Sequence, residues 1–305
     1  MDDSIVAAPT NPDLTNPDSV PPTIRVKVAR SGAPAVDEQV PYTEYTTVLD
    51  VLDWLKAGPQ PSLAFRASCR SGICGSCGVM VNNRPVLACE TFAAGFRKSG
   101  LSIAPLAKFP VLRDLVVEIE PFLDQLRGAL AWQLPTTADD TECSAQEHVE
   151  PTALDSNTSP SGHGKTGVQS GEPKNEGQGN FGNDVPGERN AESTNQASEI
   201  RRQTPAQLDA YRQLTQCINC LLCYAACPQY FGPEQYLGPA AIALAQRWSL
   251  DSRDEGAAQR FEALAESEAG LWPCTLDGSC TLVCPKGLDP KAVIGALQRQ
   301  ALTGG

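Results

Sequence analysis

Histidine is almost absent from this sequence, which has two histidines, His148 and His163, among 305 residues. Both lie in a polar stretch, and the segments with apolar periodicity contain none. Rieske clusters, histidine-containing zinc sites, histidine-ligated haem and catalysis by a histidine acid or base all need this residue. These classes of site are therefore excluded from the segments that the sequence predicts to fold.

Long apolar runs are missing as well. Because the chain has no run of eighteen apolar residues, we do not expect it to span a membrane. Residues 1–9 contain neither the basic region nor the apolar region of a secretory signal, so secretion is not expected. Cysteines in such a chain are expected to stay reduced in the cytoplasm and to act as metal ligands.

Most of the net charge of −12 lies in two polar segments. Residues 135–203 carry twelve acidic and five basic residues, and residues 1–22 add four acidic ones. Both segments are too poor in apolar residues to offset the entropy of ordering, so we predict a disordered tail at 1–22 and a disordered linker at 135–203. The remainder is nearly neutral, and nothing in it indicates a nucleic-acid partner.

Two folded domains are predicted, at 23–134 and 204–305. In the first, alternation at 24–28 predicts a strand, and further strands are expected near Val40–Tyr45, in a hairpin about Asn82-Asn83 and at Leu115–Ile119. Helices are expected from Val48 and at Pro121–Trp132. The second domain reads as helical, with a capping box at Thr204 and Gln207 and with helices at Pro239–Leu250, at Asp254–Ala269 and after Asp289. The fold class is therefore α+β.

Cysteine is abundant and grouped. Eleven of the twelve cysteines fall into three motifs, and Cys143 in the linker stands alone. The first motif has the plant-type [2Fe–2S] spacing, in which gaps of four and two residues precede a distant fourth cysteine. Its members are Cys69, Cys74, Cys77 and Cys89. Gly72, Gly75 and Gly78 should let backbone amides approach the sulfides. The alternative is a four-cysteine zinc site, but the spacing does not match paired zinc knuckles.

The second motif is the bacterial ferredoxin run, in which proline follows the last cysteine and that cysteine ligates a different cluster. It comprises Cys217, Cys220, Cys223 and Cys227. A third motif must supply the other cluster, and it comprises Cys274, Cys280 and Cys284. We therefore expect each run to lend its last thiol to the other's cluster, which leaves one cluster with four thiols and one with three. Three thiolates suit [3Fe–4S].

Asp277 stands where a complete second ferredoxin run would have a cysteine. One interpretation is that its side chain points to solvent or caps a helix. The other is that its carboxylate binds a fourth, exchangeable iron, so that the three-iron cluster interconverts with a [4Fe–4S] form. The sequence leaves both open.

The three motifs together resemble the iron–sulfur subunit of the fumarate reductase and succinate dehydrogenase complexes. The stretches Leu106–Val117, Gly238–Leu244 and Asp251–Asp254 are similar to this family too, and the resemblance covers roughly 23–134 and 203–300. It is closer to fumarate reductases, because Cys227-Pro-Gln-Tyr-Phe lacks the tryptophan that usually follows in succinate dehydrogenases.

The resemblance implies a β-grasp [2Fe–2S] ferredoxin domain followed by an α-helical ferredoxin domain. It also implies the ligands: Cys69, Cys74, Cys77 and Cys89 for [2Fe–2S]; Cys217, Cys220, Cys223 and Cys284 for [4Fe–4S]; Cys227, Cys274 and Cys280 for [3Fe–4S]. Electrons would pass along these clusters between the FAD of a flavoprotein subunit and a quinone in a membrane anchor. The chain would lie peripherally on the cytoplasmic face of the inner membrane and act on no organic substrate itself.

The quinone is expected beside the three-iron end, near Thr275, Leu276 and 295–298. Three departures from the family pattern stand out: Asp277 at an apolar position, Gln298 where a lysine is expected, and the length of the linker. Two other functions stay open at this point. One is the iron–sulfur subunit of a soluble flavin-linked oxidoreductase without a quinone, and the other is an iron–sulfur sensor or assembly module.

Overall fold

The computed structural model describes residues 21–134 and 202–303, which belong to one compact unit. The predicted tail and linker lie outside the described residues, apart from a few positions at their ends. Cys143, His148 and His163 lie outside them too.

A five-stranded mixed sheet with one helix against it forms the first half of the unit. Its elements are β1 (Thr23–Val28), β2 (Val36–Pro41), α1 (Val48–Ala57), β3 (Gly78–Val81), β4 (Arg84–Leu87) and β5 (Leu101–Ala104). The strand order is β2-β1-β5-β3-β4, with β1 parallel to β5 and the other pairs antiparallel. This is the β-grasp arrangement that the resemblance implied.

The core of this half follows the sequence periods. Ile24, Val26 and Val28 of β1 are buried, because alternate side chains of a strand face the same side. Helix α1 buries its apolar face against the sheet and begins with a capping box at Thr47 and Asp50. The predicted hairpin is also present, and Asn82 and Asn83 both have positive φ, which asparagine tolerates in a tight turn.

Two strand predictions need correction. The second strand is Val36–Pro41, not Val40–Tyr45, because residues 43–46 form a hydrogen-bonded turn. The last predicted strand, Leu115–Ile119, shrinks to β7 (Val116–Val117), which pairs with β6 (Val111–Arg113) in a separate two-stranded ribbon. Asp114 has a φ of +49° at the tip of that ribbon, and α2 (Glu120–Gly128) begins soon after it.

The second half contains helices and turns. Its helices are α3 (Pro205–Asp209), α4 (Leu222–Ala226), α5 (Pro239–Ser249), α6 (Ala257–Glu266), α7 (Ser279–Leu282) and α8 (Pro290–Thr303). The capping box of Thr204 and Gln207 is present, as predicted. Helix α6 is shorter than expected at both ends, and Asp254 precedes it as a buried ion-pair partner instead of starting it.

The two halves share a hydrophobic core. Phe109 and Phe122 of the first half pack against the Tyr224 ring, with centroid distances of 6.1 and 5.4 Å. Arg260 is fully buried, pairs with Asp254 at 2.6 Å and donates to the carbonyls of residues 130 and 132. This network fixes the end of the first half against the second. Across the two described ranges, none of the helices has the length and apolar character needed to cross a membrane.

Candidate iron–sulfur centres

The first cysteine motif forms a glycine-rich loop whose backbone N–H groups point at sulfur. Cys69 Sγ accepts from the amides of Ser71, Ile73 and Cys74 at 3.5, 3.3 and 3.2 Å. These bonds lower the pKa of the Cys69 thiol to about 6, because N–H groups that point at a thiolate stabilise its charge. The loop is therefore built to hold negative sulfur.

The four thiols of this loop lie in two pairs. Cys69 and Cys74 adjoin each other, and the Cys69 amide donates to Cys74 Sγ at 3.5 Å. Cys77 Sγ and Cys89 Sγ are 3.3 Å apart, because the β3–β4 hairpin returns residue 89 beside residue 77. The backbone N–H of Gly72 donates to Cys89 Sγ at 3.3 Å. Gly72 has a left-handed backbone conformation, and a side chain at this position would overlap the Glu90 carboxylate. Burial raises the pKa of Cys77 to about 12.

A second set of thiols surrounds a small cavity of about 30 Å³. Its lining includes Cys217, Cys220, Cys223 and Cys284. The first three come from the loop before α4 and from α4 itself, and the fourth follows α7. Asn219 and Leu221 have φ of +52° and +65°, which lets the loop turn around the cavity. The structure thus brings together the four thiols that the sequence grouped.

These thiols are poorly solvated. Burial raises the pKa of Cys220 to about 11 and holds that of Cys223 well above its usual range, with a further upward contribution from neighbouring cysteines. Cys284 Sγ accepts a hydrogen bond from the Leu288 amide at 3.3 Å. A cation shared among these sulfurs would relieve the cost of ionising them together, since bound metal lowers the pKa of coordinating thiols.

The third set comprises Cys227, Cys274 and Cys280, which interact electrostatically with one another. Cys227 and Cys280 are buried, and Cys274 is partly exposed. Burial, followed by the charges of the other two thiols, raises the pKa of Cys280 to about 11. The fully buried Tyr236 lies against the same group, and its hydroxyl makes no hydrogen bond of ordinary geometry among the described residues, although it interacts with the Cys274 side chain.

Asp277 is exposed and accepts hydrogen bonds from both the backbone N–H and the hydroxyl of Ser279 at the start of α7. These bonds lower the pKa of its carboxyl group. The geometry agrees with the interpretation of Asp277 as a solvent-facing cap. Gln298 turns inward and donates to the carbonyls of Leu271 and Cys274 at 2.9 and 3.0 Å, so it braces the Cys274 loop.

Sequence reasoning missed two groups near the third set. Lys108 reaches from the first half to donate to the Cys227 carbonyl, and its ammonium lies 5.6 Å from the centre of the Phe231 ring. Tyr236 is the other. The spacing of residues along the sequence could not reveal either side chain, because each lies near the cysteines only in the folded structure. A positive φ at Lys108 and a buried polar atom on Tyr236 are signals that only the structure supplies.

The first two sets adjoin each other. A Cβ atom added to Gly75 would lie 2.6 Å from the Ile218 carbonyl oxygen and 3.0 Å from the Cys220 Cβ. A Cβ atom added to Gly78 would lie 3.1 Å from the carbonyl oxygen of Cys220. Backbone can approach backbone this closely only where side chains are absent. The second and third sets also adjoin, because Cys223 lies within helix α4 and Cys227 directly follows that helix.

The donor sets fit iron–sulfur clusters. Amides converge on the sulfurs of the first loop, four thiols line one cavity, and an unpaired hydroxyl is buried beside the remaining three. Thiolates with surrounding hydrogen-bond donors are the ordinary surroundings of such clusters. Within residues 21–134 and 202–303, no three His, Cys, Asp or Glu side chains are arranged around a single metal ion that all three could bind directly.

Comparison with known proteins agrees with this geometry. A model described as a 2Fe-2S iron-sulfur cluster binding domain matches residues 24–124, and a model described as a 4Fe-4S dicluster domain matches residues 177–288. The fumarate reductase iron–sulfur subunit of Mycobacterium tuberculosis is 40% identical over 87% of this chain and 83% of the relative. The fumarate reductase iron–sulfur subunit of Haemophilus influenzae is 39% identical over 90% of this chain and 91% of the relative.

More distant relatives include a mitochondrial succinate dehydrogenase [ubiquinone] iron–sulfur subunit of Oryza sativa. It is 35% identical over 82% of this chain and 63% of its own length. Among solved structures, a chain of the Mycobacterium smegmatis Sdh1 complex in the apo form has a TM-score of 0.64 at 23% identity. The match covers 93% of this chain and 98% of that one, so the two share a fold.

Proposed function

Because the chain belongs to the family of fumarate reductase and succinate dehydrogenase iron–sulfur subunits, we propose that it relays electrons between the FAD of a flavoprotein subunit and a quinone at a membrane anchor. Its general role is electron transfer within an oxidoreductase complex. Cofactors of this kind carry the redox chemistry, while the protein binds, orients and tunes them.

We propose that the first loop holds [2Fe–2S], the four-thiol cavity [4Fe–4S] and the third set [3Fe–4S]. The ligands would be Cys69, Cys74, Cys77 and Cys89; Cys217, Cys220, Cys223 and Cys284; and Cys227, Cys274 and Cys280. The convergence of each set supports this assignment. The exposed Asp277 and its bonds to Ser279 support a third cluster without a fourth protein ligand.

The contacts between neighbouring thiol sets support a relay that runs from the first loop through the four-thiol cavity to the third set. The Gly75 loop lies against the loop of Cys220, and Cys223 lies within helix α4 while Cys227 follows the end of that helix. A relay in this order would keep neighbouring centres close. We propose that the flavoprotein docks beside the first loop, where Ile73 is 65% exposed.

At the other end, we propose that the membrane anchor and quinone lie beside Cys274. Trp272 and Leu276 there are 46% and 39% exposed. Thr275 and residues 295–298 border the same region. Gln298 supports the Cys274 loop from within and does not itself serve as the quinone contact. The chain would then lie on the cytoplasmic face of the inner membrane, held there by its anchor.

The observation that carries the proposal is the cavity walled by four cysteines from two distant motifs. The test is to isolate the native complex and to replace one cysteine of each set by serine. Cys74→Ser, Cys220→Ser and Cys280→Ser should each remove or alter one cluster's paramagnetic signal and abolish electron transfer to quinone. Cys143→Ser is the matched control and should change neither.

A complex that contains a flavoprotein but no hydrophobic anchor, and that does not reduce quinone, would contradict the quinone part of the proposal and favour a soluble flavin-linked oxidoreductase. Recovery of the chain without any flavoprotein would contradict the relay itself.

A further inference from the structure

Tyr236 is fully buried, and its hydroxyl makes no hydrogen bond of ordinary geometry among the described residues, although it lies close enough to the Cys274 side chain to interact with it. Burying a hydroxyl without a partner costs free energy, so such a group calls for an explanation. The neighbouring tyrosines show that this packing does not prevent pairing. Tyr224 donates to the Leu237 carbonyl at 2.9 Å, and the hydroxyl of Tyr230 accepts from Gln125 at 2.9 Å.

The surroundings of the hydroxyl show where it faces. Tyr236 interacts with the side chain of Cys274 and electrostatically with Cys227 and Cys280, which are the three members of the third thiol set. Tyr230 lies in the same region of the core, and its hydroxyl contact is with Gln125 alone. The Tyr236 hydroxyl therefore has the three thiols as its polar surroundings, while the Tyr230 hydroxyl is bonded to Gln125.

The position of Tyr236 is fixed by its backbone. Its N–H donates to the Gly232 carbonyl at 3.3 Å, and its carbonyl accepts from Gln125 at 3.3 Å. The next amide, that of Leu237, donates to the Ala269 carbonyl at 2.7 Å. Bonds on both sides hold the ring in place, so the hydroxyl is preorganised toward the thiols.

We propose that Tyr236 donates a hydrogen bond to sulfur of the cluster held by Cys227, Cys274 and Cys280, and that this bond raises the cluster's reduction potential. The inference rests on the proposed assignment of that cluster. The reduced cluster carries one more negative charge than the oxidised one, so a donor to its sulfur stabilises the reduced form more. The phenol keeps its proton throughout, because the cluster takes up only the electron.

Tyr236→Phe tests this inference, since it removes one oxygen and leaves the ring. In a redox titration of the complex, followed by the paramagnetic signal of the three-iron cluster, the equilibrium constant for one-electron reduction should fall about tenfold. That corresponds to a midpoint potential about 59 mV lower. Tyr230→Phe is the matched control. It also removes a buried hydroxyl from the same core, but that hydroxyl is hydrogen-bonded to Gln125 and not to sulfur. The midpoint potential of the three-iron cluster in Tyr230→Phe should equal that of the wild type.

Two results would overturn the inference about Tyr236 and leave the proposed cluster assignment intact. One is a Tyr236→Phe complex whose three-iron signal titrates at the wild-type potential. The other is an equal shift in Tyr230→Phe, which would assign the effect to packing. If the wild-type complex has no three-iron signal at all, both this inference and the proposed cluster assignment fail, so the two failures can be told apart.

Discussion

Replacing Gly75 by alanine probes the contact between the first two thiol loops. Gly75 has a φ of +72°, and an added Cβ atom would lie 2.6 Å from the Ile218 carbonyl oxygen and 3.0 Å from Cys220 Cβ. Gly32 offers a matched control, because its φ is +69° and a Cβ atom added there would meet nothing within 4 Å. Both variants acquire the same backbone strain, and only one acquires a clash.

The magnitudes follow from these two terms. A side chain in the left-handed region costs about 1–2 kcal/mol, which Gly32→Ala should lose from its free energy of unfolding. Gly75→Ala should lose that amount plus about 1–3 kcal/mol for an added methyl group in a packed contact. For a folded region of this size, each kcal/mol lowers the thermal midpoint by about 2–4 °C.

The assay is thermal unfolding of the cluster-loaded protein, together with the rate at which electrons pass from the first cluster to the second. Gly75→Ala should unfold at a lower temperature than Gly32→Ala and transfer electrons more slowly, because the loops are forced apart. Equal midpoints and equal rates in the two variants would refute the close packing of the loops.

Two further predictions concern buried carboxylates. Asp254→Asn should cost about 3–5 kcal/mol in thermal or denaturant unfolding, because it leaves the fully buried Arg260 without its ionic partner; a loss below 1 kcal/mol would contradict the buried pair. At Asp114, burial acts to raise the pKa, but two backbone amides and Arg30 outweigh it and lower the pKa below the usual value of about 3.9. A lowered folded-state pKa stabilises the fold above the unfolded-state value and loses that contribution as pH falls through the folded-state value. The wild type should therefore be more stable than Asp114→Asn at pH 7, and the difference should shrink below pH 4; a constant difference in acid titrations would rule out this linkage.

Much of this molecule could be predicted from the sequence, because its main signals are local. The gaps between cysteines are set by how a short loop or a single helical turn presents thiols, so the short gaps within each motif could be recognised in advance. Cys284 comes from a distant motif, and only the ferredoxin pattern, in which the last cysteine of a run ligates a different cluster, assigned it to the cavity. The β3–β4 hairpin and the helix start at Thr204 were predictable from local signals too. The hairpin turn joins Val81 to Arg84 and the capping box joins Thr204 to Gln207, and the two residues of each pair are three positions apart.

The features that were missed depend on distant partners. Asp254 was predicted to begin a helix, yet it pairs with Arg260, whose guanidinium also binds carbonyls about 130 positions earlier in the chain. Lys108 and Cys227 are 119 positions apart. The hydroxyl of Tyr236 is unusual only because its neighbours leave it unpaired. None of these relations has a spacing that a sequence pattern could reveal.

The central claim is that three inorganic centres occupy the three thiol sets. Its most direct test is the metal and sulfide content of anaerobically purified wild-type complex, measured per copy of this chain. The account predicts about nine iron atoms with inorganic sulfide, distributed over clusters of two, three and four irons. Zinc in place of iron, or iron enough for only one or two clusters, would contradict it.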